Sequence, residues 1–293
     1  MEPPIKPDET DCCNSGCNPC ILDSYEEQLK KYKQRLERDQ NDLNRFKNCL
    51  ITTAYSIFSV RNIQRESADA LLITFEFKKL LKSNIETDRV MYNPGQYFML
   101  KNGEYQKPYT PVPIHVSNPL QFTVLVKLYE SGRMSRYIRK LEIDSKTIWR
   151  GPYGDFNLLY DYKHILLIAQ GVGIAPLYTI IHNITQNEDC ETFLKLFYCC
   201  KTYDTIYLRN RLYDLQHHWN FSYDIFLGNS DNSSRKYNET IHEYKLDACK
   251  IKEFLSDKTD SIQVLVCGNE SFAITFKQIV MNCNIQERNI SVF

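Results

Sequence analysis

Lys107-Pro108-Tyr109-Thr110-Pro111 sets a cation, an aromatic ring and a hydroxyl side by side, with two prolines limiting how the segment can bend. Such a set can hold a flavin: the ammonium meets pyrophosphate, the ring packs on a flat heterocycle, and the hydroxyl hydrogen-bonds its edge. Standing alone, the pentapeptide is a weak signal, and an ordinary proline-rich loop is the better reading of it. Further on, Gly132-Arg133-Met134-Ser135 opens a helix, whose first backbone N–H groups favour phosphate. By itself that is a plain capped helix. Two glycine-bearing segments follow, Gly171-Val172-Gly173-Ile174-Ala175-Pro176 and Val266-Cys267-Gly268. Glycine lets backbone approach a flat ring or a phosphate where a Cβ would clash. Cys267 is small and polarizable, suited to lie against a reacting ring without hydrating it; its plainer reading is a buried thiol at a strand end.

A separate cluster stands at the N-terminus, where Cys12, Cys13, Cys17 and Cys20 are packed together. Three readings of it stay open. The Cys12-x4-Cys17-x2-Cys20 spacing is that of three plant-type [2Fe–2S] ligands, with Cys49 as a distant fourth, although the intervening residues 25–47 look helical rather than β-rich. Cys12 or Cys13 with Cys17 and Cys20 can also make a zinc site. The third reading is a metal-free redox or interaction motif. His217 and His218 read as surface residues at a helix end.

The elements that must position these groups change character along the chain. Residues 25–47 read as a charged helix, with Leu29, Tyr32, Leu36 and Leu43 near helical spacing. From Tyr55 onward come short β-rich runs at residues 70–77, 96–100 and 122–129, punctuated by turns at Asn93-Pro94-Gly95 and Ser117-Asn118-Pro119. With one short helix at 134–141, they predict a small antiparallel barrel. After Gly151-Pro152-Tyr153-Gly154 strands and helices alternate: strands at 165–169, 193–199, 223–227 and 263–267, helices at 176–184, 206–215 and 271–282. Alternation of this kind predicts a parallel sheet with nucleotide-binding geometry. The expected fold is therefore β plus α/β: a Cys-rich segment and helix over 1–48, an antiparallel β-barrel over 50–155, and a Rossmann-like α/β domain over 156–293.

Bulk composition narrows the function classes. Lys plus Arg and Asp plus Glu are both 36, so no charge excess favours nucleic acid or an anionic membrane. The N-terminus shows no basic-then-apolar secretory pattern, position 2 is not glycine, and no apolar run is long enough for a transmembrane segment. Eleven cysteines in such a chain read as reduced thiols or metal ligands. An intracellular, cytoplasmic protein is expected, with mitochondrial association left open.

The order of the chemical segments carries a resemblance. Lys107-Pro108-Tyr109-Thr110-Pro111, Val126-Lys127-Leu128-Tyr129, Gly132-Arg133-Met134-Ser135 and Gly151-Pro152-Tyr153-Gly154 are similar to the FAD domain of cytochrome b5 reductases. Gly171 to Pro176, Val266-Cys267-Gly268 and the final Val292-Phe293 resemble the NADH domain of the same family, in the same order. Residues 11–20 with Asp23-Ser24-Tyr25 resemble the short oxidoreductase-like N-terminal domain that some relatives carry.

The resemblance implies an oxidoreductase in which NADH (or NADPH) passes a hydride to FAD in a cleft between the domains. Electrons then leave singly to a cytochrome b5-type haem protein. It assigns Lys107, Pro108, Tyr109 and Thr110 to the flavin and its pyrophosphate, and Gly132, Arg133, Met134 and Ser135 to the phosphates. Lys127 would sit beside the nicotinamide nucleotide. Gly171, Val172, Gly173 and Pro176 would shape the nicotinamide turn, with Cys267 and Gly268 opposite. Thr110 and Cys267 would flank the reacting rings; no metal enters the reaction.

Four departures from the family pattern accompany these assignments. Lys107 stands for arginine, Gln170-Gly171-Val172-Gly173 for Gly-Gly-Thr-Gly, Ala175 for a hydroxyl residue, and Asn269-Glu270-Ser271 for prolines. Asp231 is the candidate acid selecting NADH over NADPH. The alternative function is a non-catalytic or weakly catalytic flavoprotein, an assembly factor acting through its Cys-rich head.

Overall fold

The computed structural model describes residues 4–12, 16–36, 47–81, 87, 89–114, 118–156, 158, 162–229, 235–258 and 261–293. They form two compact units, Met1–Gln64 with Leu71–Asp155, and Arg65–Ala70 with Phe156–Phe293. Among the described residues, no helix is long and apolar enough to cross a membrane.

The first unit begins with helix α1 (Ile21–Leu36). The remainder of the helix expected over 25–47 lies outside the described residues up to residue 46. Strands β1 (Ser56–Arg65), β2 (Ala70–Leu80), β3 (Tyr97–Asn102), β4 (Tyr105–Tyr109), β5 (Pro111–Val112) and β6 (Gln121–Lys127) follow. Helix α2 (Arg133–Ile138) and strand β7 (Lys146–Tyr153) complete it. The strands make one seven-stranded sheet in the order β4-β3-β7-β1-β2-β6-β5. The pairs β1/β7, β3/β7, β3/β4 and β5/β6 run antiparallel, which is the expected β architecture. No pairing closes β4 onto β5 among the described residues; β4 instead packs on β6. The turn anticipated at Asn93-Pro94-Gly95 is present: Gln96 N–H donates to the Asn93 carbonyl, and Gly95 takes the φ of 87° that the third position of such a turn requires.

Five strands each send one aromatic ring to a common core. Phe122 (β6) meets Phe58 (β1), Phe98 (β3) and Trp149 (β7) edge-on at 5.0, 4.9 and 5.0 Å, and Phe75 (β2) meets Trp149 at 4.9 Å. Edge-to-face contact places the positive ring edge on a negative face, so these rings hold one another's orientation as well as filling space. The Trp149 indole N–H is satisfied at 2.8 Å by Thr147 Oγ1, whose own hydroxyl donates to the Phe58 carbonyl.

The second unit contains β8 (His164–Gln170), α3 (Ile174–Thr185), β9 (Phe193–Cys200), α4 (Arg209–Leu215), β10 (Phe221–Leu227) and β11 (Thr240–His242). Next come α5 (Ala248–Leu255), β12 (Ile262–Cys267), α6 (Glu270–Met281) and β13 (Ile290–Val292). Its six-stranded sheet, β11-β10-β9-β8-β12-β13, is parallel throughout. The apolar runs in β8 and β12 are buried along their length because both sheet faces are covered. Strand order proceeds to one side from β8 to β9 and to the other at β12. The gap between β8 and β12 is therefore the switch point at which ligands of open α/β sheets bind, beyond the carboxyl ends of the strands. Helix α4 starts three residues later than its sequence pattern indicates. Leu208 sits at φ 58°, and its N–H donates to Glu66 Oε1 at 2.7 Å instead of joining a helix. Helix α5, which the sequence reading left out, is capped by Asp247, whose side chain accepts from Lys250 N–H.

Removing the central indole tests the aromatic core. Trp149→Ala should cost about 3–5 kcal/mol of folding stability, measured by urea denaturation, whereas Trp219→Phe at an exposed position should leave the midpoint within error.

Candidate functional site

In the first unit, hairpin pairing fixes the segment that carries the cation, ring and hydroxyl. β4 runs against β3 with Leu100 opposite Lys107, Met99 opposite Pro108 and Phe98 opposite Tyr109. Lys107 and Pro108 are exposed, while Tyr109 and Thr110 are half-buried. The Tyr109 ring lies 6.0 Å from Trp149, edge-on, so it extends the aromatic core toward the surface. Burial holds its phenol above the ordinary tyrosine range, and the ring stays neutral.

Strand β4 packs on both α2 and β6, which brings Lys107 to Tyr109, Lys127 and Arg133 to Ser135 into one neighbourhood. Arg133 is exposed, its guanidinium 4.6 Å from the Tyr105 ring centre. Lys127 ends β6 with its ammonium 5.6 Å from the Tyr129 ring. Met134 and Ser135 are buried, Met134 within the hydrophobic core. Ser135 Oγ accepts from Tyr129 N–H at 2.9 Å, which leaves the hydroxyl hydrogen to donate. A Cβ on Gly132 would meet that Oγ at 3.0 Å, so glycine keeps the helix entry tight. Cations, a neutral half-buried ring and a close-packed backbone are the donor set a flavin dinucleotide needs.

In the second unit, the two glycine segments meet at the switch point. Gly171 turns the chain out of β8 at φ 52°, a 3-10 turn spans Gly171–Gly173, and α3 begins at Ile174 with Pro176 in its first turn. A Cβ on Gly173 would lie 2.5 Å from the Cys267 carbonyl oxygen and 2.8 Å from its carbonyl carbon. A Cβ on Gly268 would strike the Phe272 ring at 2.5 Å, whereas one on Gly171 would meet nothing within 4 Å. Gly171, Val172, Gly173, Pro176, Cys267 and Gly268 thus gather at the carboxyl ends of β8 and β12, with Gly173 and Gly268 packed against protein and Gly171 facing open space. Burial pushes the Cys267 thiol up to about 12, so it stays protonated at neutral pH.

Three supports escaped the sequence reading. Tyr198, buried on β9, donates its hydroxyl to the Gly171 carbonyl at 3.0 Å and accepts from Tyr207 N–H. Gln170 Oε1 accepts from Asn269 N–H at 3.1 Å, tying the ends of β8 and β12. Asn269 also caps α6, its side chain accepting from Phe272 N–H, which accounts for a polar residue where the family pattern has proline. Only the Asn269 cap has a local signal, an Asn just before a helical run.

Asp231 and Cys13 lie outside the described residues. Cys49 is fully buried, with Thr87 Oγ1 3.5 Å from its sulfur. The described residues hold no group of three His, Cys, Asp or Glu arranged to bind a metal.

Comparison with known proteins matches these units to described families. A model for the oxidoreductase FAD-binding domain matches residues 58–158, one for the oxidoreductase NAD-binding domain matches 167–278, and one for the N-terminal part of oxidoreductase-like proteins matches 1–41. Over 305 residues the chain is 30% identical to a Homo sapiens protein named NADH-cytochrome b5 reductase-like, covering 99% of this chain and 94% of that one. The Mus musculus protein of that name is 28% identical, over 99% and 95%.

Among solved structures, the CS-b5R domains of human Ncb5or (NAD+ form) superpose with a TM-score of 0.68 at 20% identity, over 82% of this chain and 69% of that one. The cytochrome b5 reductase domain of Ulva prolifera nitrate reductase gives 0.68 at 18%, over 84% and 100%. These two likenesses show the fold. Fold and domains together define an FAD- and NAD-binding oxidoreductase. Within that class, the chain belongs to the NADH-cytochrome b5 reductase-like family.

Gly173→Ala forces a Cβ onto backbone and should cost about 1–3 kcal/mol by overpacking and weaken nicotinamide nucleotide binding. Gly171→Ala, strained only by its φ, should cost about 1–2 kcal/mol; denaturation midpoints and nucleotide titration compare the two. Because the Cys267 pKa is raised, its thiolate is scarce at pH 8. Iodoacetamide should therefore modify exposed Cys249 while leaving Cys267 intact, as read by peptide mass spectrometry of native protein.

Proposed function

We propose that the chain carries reducing equivalents from NADH through FAD to a one-electron acceptor, a haem protein of the cytochrome b5 type. The observation that carries this reading is the glycine turn at the strand switch, Gly171 to Gly173, packed on the carbonyl end of β12. The names of the two mammalian relatives support the donor and acceptor classes. When bound, FAD supplies the conversion of a two-electron hydride into single electrons.

The protein groups bind, orient and exclude water. Lys107 and Arg133 bring positive charge to the pyrophosphate, with Lys107 acting as a point charge where arginine would grip with two parallel bonds. Gly132 offers backbone at the helix entry, Met134 seats that helix in the core, and Ser135 donates its remaining hydroxyl hydrogen. Pro108 stiffens the strand, Tyr109 packs on the flavin and Thr110 bonds its edge. Lys127 adds a cation at the end of β6. Gly171, Val172, Gly173 and Pro176 shape the turn for the nicotinamide, and Gly268 keeps its other side flat. Cys267, a neutral thiol, excludes water without adding charge. Thr110 and Cys267 are the residues assigned to the reacting rings. The setting proposed is intracellular.

An anaerobic absorption experiment on FAD-loaded protein tests the reading. Flavin bands should bleach on NADH addition and recover when a soluble cytochrome b5 haem domain is supplied, with the haem reduced in step. Bands that stay oxidised with both NADH and NADPH would overturn it in favour of a flavoprotein that acts without turnover. In that case Val172→Thr, which restores a hydroxyl to the turn, should raise NADH oxidation from near zero.

A further inference from the structure

The cysteine head is held by the first unit in a specific way. The Asp11 carbonyl accepts from Tyr55 hydroxyl at 3.3 Å and from Lys101 Nζ at 3.4 Å. The Pro19 carbonyl accepts from Arg150 Nη2 at 3.0 Å. Arg150 is a fully buried guanidinium that also donates to Gln106 Oε1 and to the Tyr153 hydroxyl. Each anchored carbonyl immediately precedes a cysteine, Cys12 in one case and Cys20 in the other. Gly16, which lies between them in sequence, sits at φ 68° with open space where a Cβ would be. The two sulfurs are thereby brought to 3.7 Å, both half-buried and both thiols. Cys17 takes a different environment, its sulfur 3.9 Å from Gln106 Nε2 and 4.0 Å from Arg150 Nη2.

The geometry points to Cys12 and Cys20 as a thiol–disulfide exchange site whose co-reactant is a low-molecular-weight disulfide. A bonded pair needs the sulfurs at about 2.05 Å, so the 3.7 Å gap must close when the pair is oxidised. The thiolate of one cysteine attacks a sulfur of the small disulfide, forming a mixed disulfide and expelling one thiolate. The second cysteine then attacks the protein sulfur of that bond and expels the other. The two protein thiols lose two electrons and their two protons, and the small disulfide becomes two thiols. This site uses none of the residues assigned to FAD or the nicotinamide, so it stands or falls apart from the reductase reading.

Full-length protein, as purified, is equilibrated anaerobically in graded mixtures of reduced and oxidised glutathione, quenched with acid, alkylated and digested. A Cys12–Cys20 cross-linked peptide should accumulate as oxidised glutathione rises, with the ratio of cross-linked to reduced protein proportional to oxidised glutathione divided by the square of reduced glutathione, and reverse with dithiothreitol. Cys17 should not appear in a cross-link with Cys12 or Cys20. Cys12→Ser and Cys20→Ser should each abolish the cross-link and trap glutathione on the remaining partner, whereas Cys17→Ser should keep it. Cross-links from Cys17 to either partner would overturn the assignment. So would mixed disulfides that never resolve, or stoichiometric zinc that blocks alkylation until it is chelated.

Discussion

The second unit depends on one close approach, that of Gly173 to the carbonyl end of β12. With a Cβ, the turn after β8 would collide with the Cys267 carbonyl oxygen. Without one, β8 and β12 can end side by side at the place where strand order reverses, and α3 can start at once. Tyr198 and Gln170 hold the same turn from β9 and from the end of β8, through the Gly171 carbonyl and the Asn269 N–H. The interior of β8 and all of β12 are buried, so the strands that end at this turn are fixed by apolar packing on both sheet faces.

The first unit solves a different problem. Its sheet curls around aromatic rings that touch edge-on, and Tyr109 carries that packing outward to the segment assigned to the flavin. Arg150 is a fully buried cation that donates to Gln106, Tyr153 and the Pro19 carbonyl. A buried cation leaves little tolerance for loss of its acceptors. The N-terminal head is therefore bound into the first unit by hydrogen bonds from Tyr55, Lys101 and Arg150.

Much of this was legible in local pattern. The apolar runs that became β8, β9 and β12 are continuous, and strand–helix alternation follows from them. Asn93-Pro94-Gly95 encodes its turn through glycine's access to positive φ. The chemistry-bearing segments were legible from residue type and from their order along the chain. What local pattern misjudged were boundaries set by distant groups. Helix α4 begins late because Glu66, far away in sequence, takes the Leu208 N–H. Helix α5 passed unnoticed because only Ile251 and Leu255 of its short length are buried.

The amino-acid sequence by itself determined the two β and α/β architectures, the segments that carry cations, rings and glycines, and the family to which they belong. These properties are written in neighbouring residues, through periodicity, turn chemistry and motif order. Only the tertiary structure decided that Gly173 lies against Cys267, that Tyr198 supports Gly171, and that Cys12 and Cys20 face each other under anchors from Tyr55, Lys101 and Arg150. Each of those joins residues far apart in the chain, and such pairs are chosen by packing and by the need to satisfy buried polar groups, which no local pattern records.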